Sequence, residues 1–171
     1  NPTYTATKQV MMSVNRIEGK KGVLEVATAC KELGYPLKLV GRVSKPEYAK
    51  EVMKAGAGNI TFIENATDEE LRSVYYESAV HICNSVDGFE SGTLPILEAM
   101  ACGTPVLTRM IGHVGDLYNG KNMSVRYGAV DDIEDLKTCL RELMENKTWR
   151  EGMREQAWNT ARVRDDRRMA L

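Results

Sequence analysis

The chain has 171 residues, 43% of them hydrophobic and 27% charged, and a formal net charge of −1. That length suits one domain, residues 1–171, with a complete core, and the near-neutral balance provides no basic field for nucleic acid and no acidic tail. No apolar run approaches the ~18 residues of a membrane span, no signal peptide opens the chain, and the four cysteines form no CxxC pair, which predicts reduced thiols and a cytoplasmic location.

Apolar β-type runs alternate with helical patterns. Gln9–Val14 reads as a strand. Val23, Val26, Ala27, Cys30 and Leu33 share one helical face, and Gly34 with Pro36 just beyond ends that helix. Leu37–Gly41 is the next strand. Ser44 with Glu47 has capping-box spacing and opens a helix to about Ala55. Asn59–Ile63 is a strand, and Thr67 with Glu70 opens a second capped helix to about Ser78. Val80–Asn84 and Pro105–Thr108 are strands, with a short helix over Pro95–Cys102 between them. Asn122–Tyr127 is a last strand, followed by amphipathic helices Ile133–Glu145 and Thr148–Arg164.

Continuous Val/Ile/Leu strands, each followed by a helix, predict an α/β fold: a Rossmann-like, doubly wound parallel sheet of about six strands with helices on both faces. Ligands in such sheets bind beyond the carboxyl ends of the strands, where the strand order reverses. The loops that matter are therefore 15–22, 41–44, 64–67, 85–94 and 109–115.

Glu98 stands among Ile96, Leu97, Ala99, Met100 and Ala101. A carboxylate in the first turn of a helix gains up to ~1 kcal/mol from the helix dipole, whereas burying it unmet costs several. A ligand rich in hydroxyl groups would meet it. The loop before it, Glu90, Ser91, Gly92, Thr93 and Leu94, leads into Pro95, a good residue at the first helical positions, and its backbone N–H groups form a cradle for an anion or polar ligand. Two carboxylates facing one crevice bind vicinal hydroxyls. Metal binding fits less well, because no histidine accompanies them and Asp87 is the only further oxygen ligand nearby.

Other chemistries are excluded by spacing. Phe89 and Thr93 stand where a nucleophile elbow around Ser91 needs glycines. The loop "NRIEGKKG" lacks both the GxGxxG fingerprint and the P-loop. It does bring Arg16 after a strand and Lys21 with Gly22 to the start of a helix, a combination suited to a polyphosphate, although two surface cations beside a loop give the same pattern. His81 reads as a satisfied core histidine and His113 as a loop residue. Taken together, cations on one loop and paired carboxylates on another suggest a ligand with a diphosphate at one end and hydroxyls at the other, a sugar nucleotide.

These residues resemble a known family. "ESGTLPILEAMACGTPVL", with Glu-x7-Glu from Glu90 to Glu98, and "RIEGKKG", with Arg-x4-Lys-Gly from Arg16 to Gly22, are similar to the signatures of the C-terminal, donor-binding domain of retaining glycosyltransferases of family 4 (glycosyl transferases group 1), one half of a GT-B fold. The resemblance covers about Met11 to Ala161. It implies that Arg16 and Lys21 neutralise the donor diphosphate without a metal, and that Glu90 holds hydroxyls of the transferred sugar. It implies that Ser91, Gly92, Thr93 and Leu94 contact sugar or phosphate, that Glu98 accepts from the ribose hydroxyls, and that Ile63 and Ala66 border the nucleobase. Arg16, Lys21 and Glu90 are then the catalytic set.

The chain departs from the family at Thr93, where glycine is common, at Ile111-Gly112-His113 with Asp116, and at Glu64. The N-terminal acceptor-binding domain is expected to precede Asn1, so this piece alone should bind donor but not transfer sugar. The alternative is a non-catalytic nucleotide-sugar binding or regulatory module; an epimerase on the same fold fits Glu-x7-Glu less well. The charged end "RVRDDRRMAL" reads as a solvated helix, with packing on the missing domain or peripheral contact with an anionic membrane surface as further roles.

Overall fold

The computed structural model describes residues 9–89 and 94–168, with side chains described as far as residue 163. A six-stranded parallel sheet is built from β1 (Met11–Val14), β2 (Leu37–Val40), β3 (Ile60–Ile63), β4 (Val80–Cys83), β5 (Val106–Arg109) and β6 (Ser124–Arg126), in the order β3-β2-β1-β4-β5-β6. The helices are α1 (Val23–Leu33), α2 (Pro46–Ala55), α3 (Asp68–Glu77), α4 (Leu94–Ala101), α5 (Val114–Leu117), α6 (Ile133–Glu145) and α7 (Lys147–Arg168). This is the Rossmann-like doubly wound sheet the alternation predicts.

The strands from β1 to β5 contribute to two cores because alternate side chains point to opposite faces, and β6 adds Val125 to one of them. Met11, Leu37, Leu39, Val80, Ile82 and Leu107 meet Val26, Cys30 and Val52 of α1 and α2 and Leu136, Leu140 and Leu143 of α6. On the other face Met12, Val40, Cys83 and Val106 meet Val74 and Tyr75 of α3, Ile96, Ala99 and Met100 of α4, and Ala157 and Ala161 of α7. Strands buried on both faces explain the unbroken apolar runs.

Local signals were kept where they agreed with packing. Thr67 forms the expected capping box with Glu70. The box expected at Ser44 is absent: α2 starts at Pro46, which takes the first helical position, and Lys45 is the N-cap without a side-chain bond. The last helix begins one residue earlier and runs four further than its sequence pattern suggests. The tight turn Gly19–Lys21 and the short α5 were not foreseen. All four cysteines are free thiols, and burial pushes Cys30 up to about 12.

Candidate functional site

The strand order reverses between β1 and β4. The loop after β1 turns to the face carrying α1, and the loop after β4 turns to the face carrying α4, so their carboxyl ends flank a crevice. Ser13 Oγ donates to Ile82 O at 2.9 Å, and Asn15 Nδ2 donates to Ser13 Oγ at 2.9 Å, which ties the end of β1 to β4. Ile17 is buried and bridges Val43, leaving Arg16 turned outward. The Arg16 guanidinium is 59% exposed and rests 3.3 Å from Glu18 Oε1, a buried atom with no hydrogen-bond partner among the described residues.

Lys21 closes the turn Gly19–Lys21 and is buried. Gly22 follows with φ +59, a left-handed conformation that glycine adopts without steric cost, and a Cβ there would collide with the Asn84 carbonyl. The glycine thus lets the start of α1 lie directly against the end of β4. Asn84 Nδ2 donates to Gly22 O at 3.3 Å and to Val130 O at 3.0 Å.

The loop after β4 is bound to this turn. Val86 N donates to Lys20 O at 2.9 Å, and the Lys20 and Lys21 ammonium groups lie 4.4 and 5.2 Å from the centre of the Phe89 ring. Such stacking favours a cation by ~0.5–1 kcal/mol at an exposed site. Phe89 directly precedes Glu90. The cationic loop is therefore in contact with the loop after β4 as far as Phe89. Glu90, Ser91, Gly92 and Thr93 themselves lie outside the described residues.

Glu98 differs from expectation. It sits in the second turn of α4, not the first, and is partly exposed rather than buried. Its charge is met inside the protein: Tyr75 Oη donates to Glu98 Oε2 at 2.9 Å, from a helix 23 residues earlier in sequence. Burial and the Glu98 charge both push the Tyr75 phenol well above its usual range, so it stays a donor. Glu98 opens onto a groove of about 320 Å³ shared with Asp68, Leu71, Arg72, Tyr75 and Cys102. Ile63 and Ala66, at and beyond the end of β3, are half-buried, and Glu64 Oε1 accepts from Val43 N at 3.3 Å. Leu94, the first residue of α4, is exposed.

His81 corrects a second expectation. It is fully buried, yet neither ring nitrogen has a hydrogen-bond partner among the described residues. His113 Nδ1 lies 3.2 Å from Asp116 Oδ2 on the surface. Among the described residues, no three of His, Cys, Asp and Glu gather as a metal-ligand set, and no helix is long and apolar enough to cross a membrane.

Sequence reasoning passed over two buried arginines. Arg109 ends β5 and Arg126 ends β6, and the two are register partners. Arg126 donates to Asp135 Oδ2 at 2.7 Å, to Asn84 Oδ1, and to the carbonyls of Ala129 and Asp132 at 3.0 and 2.8 Å. Arg109 donates to Gly128 O at 3.0 Å, Ser85 O at 2.8 Å and Asp87 Oδ2 at 3.1 Å. The available signal was a cation closing an apolar strand, repeated in "VLTR" and "SVR".

A family model described as "Glycosyl transferases group 1" matches residues 3–160. A comparison with curated proteins found no match. Among solved structures, the chain is similar to sucrose-phosphate synthase from Thermosynechococcus elongatus, with 20% identity over 92% of this chain and 41% of that one and a TM-score of 0.80. It is similar to Anabaena Alr3699/HepE, solved with UDP and glucose, with 19% identity over 90% of this chain and 43% of that one and a TM-score of 0.78. It is also similar to the C-terminal domain of a glycosyl transferase group 1 family protein (LpcC) from Francisella tularensis. There the identity is 20%, over 91% of this chain and 86% of that one, with a TM-score of 0.74. At these identities the likeness establishes the fold, and the chain spans less than half the length of the first two.

Proposed function

The chain belongs to the glycosyl transferases group 1 family, and from that premise we propose that it is the donor-binding domain of a retaining, family 4 glycosyltransferase. The transferred group in this reading is a hexosyl unit from a nucleotide-diphosphate sugar. One observation carries it: the loop of Arg16 and Lys21 and the loop leading to Glu90 are joined, through Lys20 O with Val86 N and through both lysines with Phe89, at the point where the strand order reverses. A ligand with phosphates at one end and hydroxyls at the other spans that junction.

In the transfer, the bond between the sugar C1 and the diphosphate oxygen breaks, and its electron pair leaves with the nucleoside diphosphate. A new bond forms from the acceptor hydroxyl oxygen to C1 as its O–H bond breaks, and the proton goes to the departing diphosphate. Arg16 and Lys21 would meet the developing diphosphate charge without a metal, and because Lys21 is buried its charge acts through less water. Glu90 would hold sugar hydroxyls and Glu98, aimed by Tyr75, those of the ribose. The segment from Ile63 to Ala66 would border the base.

The first two solved relatives are more than twice as long as this chain, which leaves room for the acceptor-binding domain that transfer requires. We place the protein in the cytoplasm, with the charged far end of α7 as the candidate contact with an anionic membrane surface.

The test is titration calorimetry with UDP, GDP and ADP, and UDP comes first because the Anabaena protein was solved with it. Binding of at least one is expected. Lys21→Ala should weaken that diphosphate roughly 10- to 100-fold, the equivalent of one charge-assisted hydrogen bond, and should leave the nucleoside nearly unaffected. Equal losses for both would remove the phosphate role.

A further inference from the structure

The loop after β4 is held in place by a residue 22 to 24 positions further along the chain. Arg109 holds it from beneath. Its guanidinium is buried, and each nitrogen is used: Nη1 on Ser85 O, Nη2 on Asp87 Oδ2, and Nε on Gly128 O beyond β6. We propose that Arg109 is a positioning residue for donor binding, fixing residues 85–89 and, through Val86 and Phe89, the Lys20–Lys21 turn. The inference rests on the donor-binding reading above, since it assigns Arg109 a role only through Lys21.

Two features argue that stability alone is not the reason for an arginine here. β5 and β6 set Arg109 and Arg126 opposite each other, so two cations share one face of the sheet, an arrangement that like-charge repulsion disfavours. The carboxylate partner of Arg109, moreover, is 70% exposed at Asp87 and lies on the loop itself, so their bond does more to fix loop geometry than to fill the core. The planar fork of an arginine presents donors on three separate nitrogens in a fixed geometry, and here it reaches acceptors on two loops; a lysine gathers its three donors on one rotatable ammonium.

The path from Arg109 to Lys21 is short and continuous. Ser85 and Asp87 are held from below, Val86 between them bonds Lys20 O, and Phe89 two residues later carries both lysine ammonium groups. With the loop unlatched, Phe89 no longer has a fixed position, and the ammonium of Lys21 loses one wall of its seat.

The experiment compares wild type with Arg109→Gln and Asp87→Ala by calorimetric titration of UDP, GDP, ADP and the matching nucleosides, with thermal unfolding recorded for each. Asp87→Ala is the safeguard: it removes an exposed side chain and leaves the core intact even where Arg109→Gln fails to fold. Expected are an affinity loss of about tenfold for the diphosphate in Arg109→Gln and about threefold in Asp87→Ala, with nucleoside affinity unchanged. Wild-type diphosphate affinity in Asp87→Ala, or equal losses for diphosphate and nucleoside in a folded Arg109→Gln, would overturn the role of Arg109 while leaving donor binding in place. A wild-type chain that binds no nucleotide would overturn both readings.

Discussion

Lowering the pH from 7 to 5 should destabilise this domain partly through one residue, His81. It lies in the middle of the sheet, paired with Met12 on one side and Val106 on the other, with its ring edge-on to Tyr75 at 5.8 Å. Burial among apolar groups disfavours the imidazolium and drives its pKa from 6.5 down to about 3. The folded state therefore keeps His81 neutral while the unfolded chain takes up a proton below 6.5. Stability from this group is full above 6.5 and falls by ~1.4 kcal/mol per pH unit as the pH drops toward 3. Between pH 7 and 5 the loss comes to about 2 kcal/mol, or roughly 4–8 °C in Tm for a domain of this size. The comparison is His81→Leu, which replaces an unpaired polar ring with an apolar side chain and should be neutral or slightly stabilising at pH 7. Urea unfolding at pH 7, 6 and 5 reads the difference: the wild-type curve should fall toward acid more steeply than the variant's. Parallel curves would refute the reasoning, because they would mean that the native state accommodates the proton.

Two further outcomes follow from the packing. Gly22→Ala forces a side chain into a left-handed backbone at ~1–2 kcal/mol and into the Asn84 carbonyl besides, so its Tm should drop by at least about 3 °C and its nucleoside diphosphate affinity should fall with it; a melt like wild type would mean that the turn rearranges freely. Arg126→Met leaves Asn84 Oδ1 and two loop carbonyls without their donor, and equilibrium unfolding should show a loss of about 3 kcal/mol, the lower end for breaking a buried pair because Asp135 is one-third exposed and can be rehydrated.

Much of this architecture was legible from the chain. Strand runs such as "LKLV" and helix signals such as Thr67 with Glu70 depend on neighbours within four residues, and those neighbours are given by the sequence. Ser44 shows the limit of such signals, since a proline two residues later shifted the cap by one position. Glu98 shows a different limit. Its neighbours in sequence are apolar, which suggested an unmet charge, but its donor, Tyr75, comes from another helix.

The sequence by itself determined the α/β alternation, the parallel sheet and the family. Only the tertiary structure decided the strand order, the contact between Lys20 and Val86, the latching of two loops by Arg109 and Arg126, and the isolation of His81. The physical reason is one of range. Periodicity and capping report whether a residue is buried and where an element ends, whereas a buried polar group is satisfied or orphaned by partners tens of residues away, and these become neighbours only when the sheet has assembled.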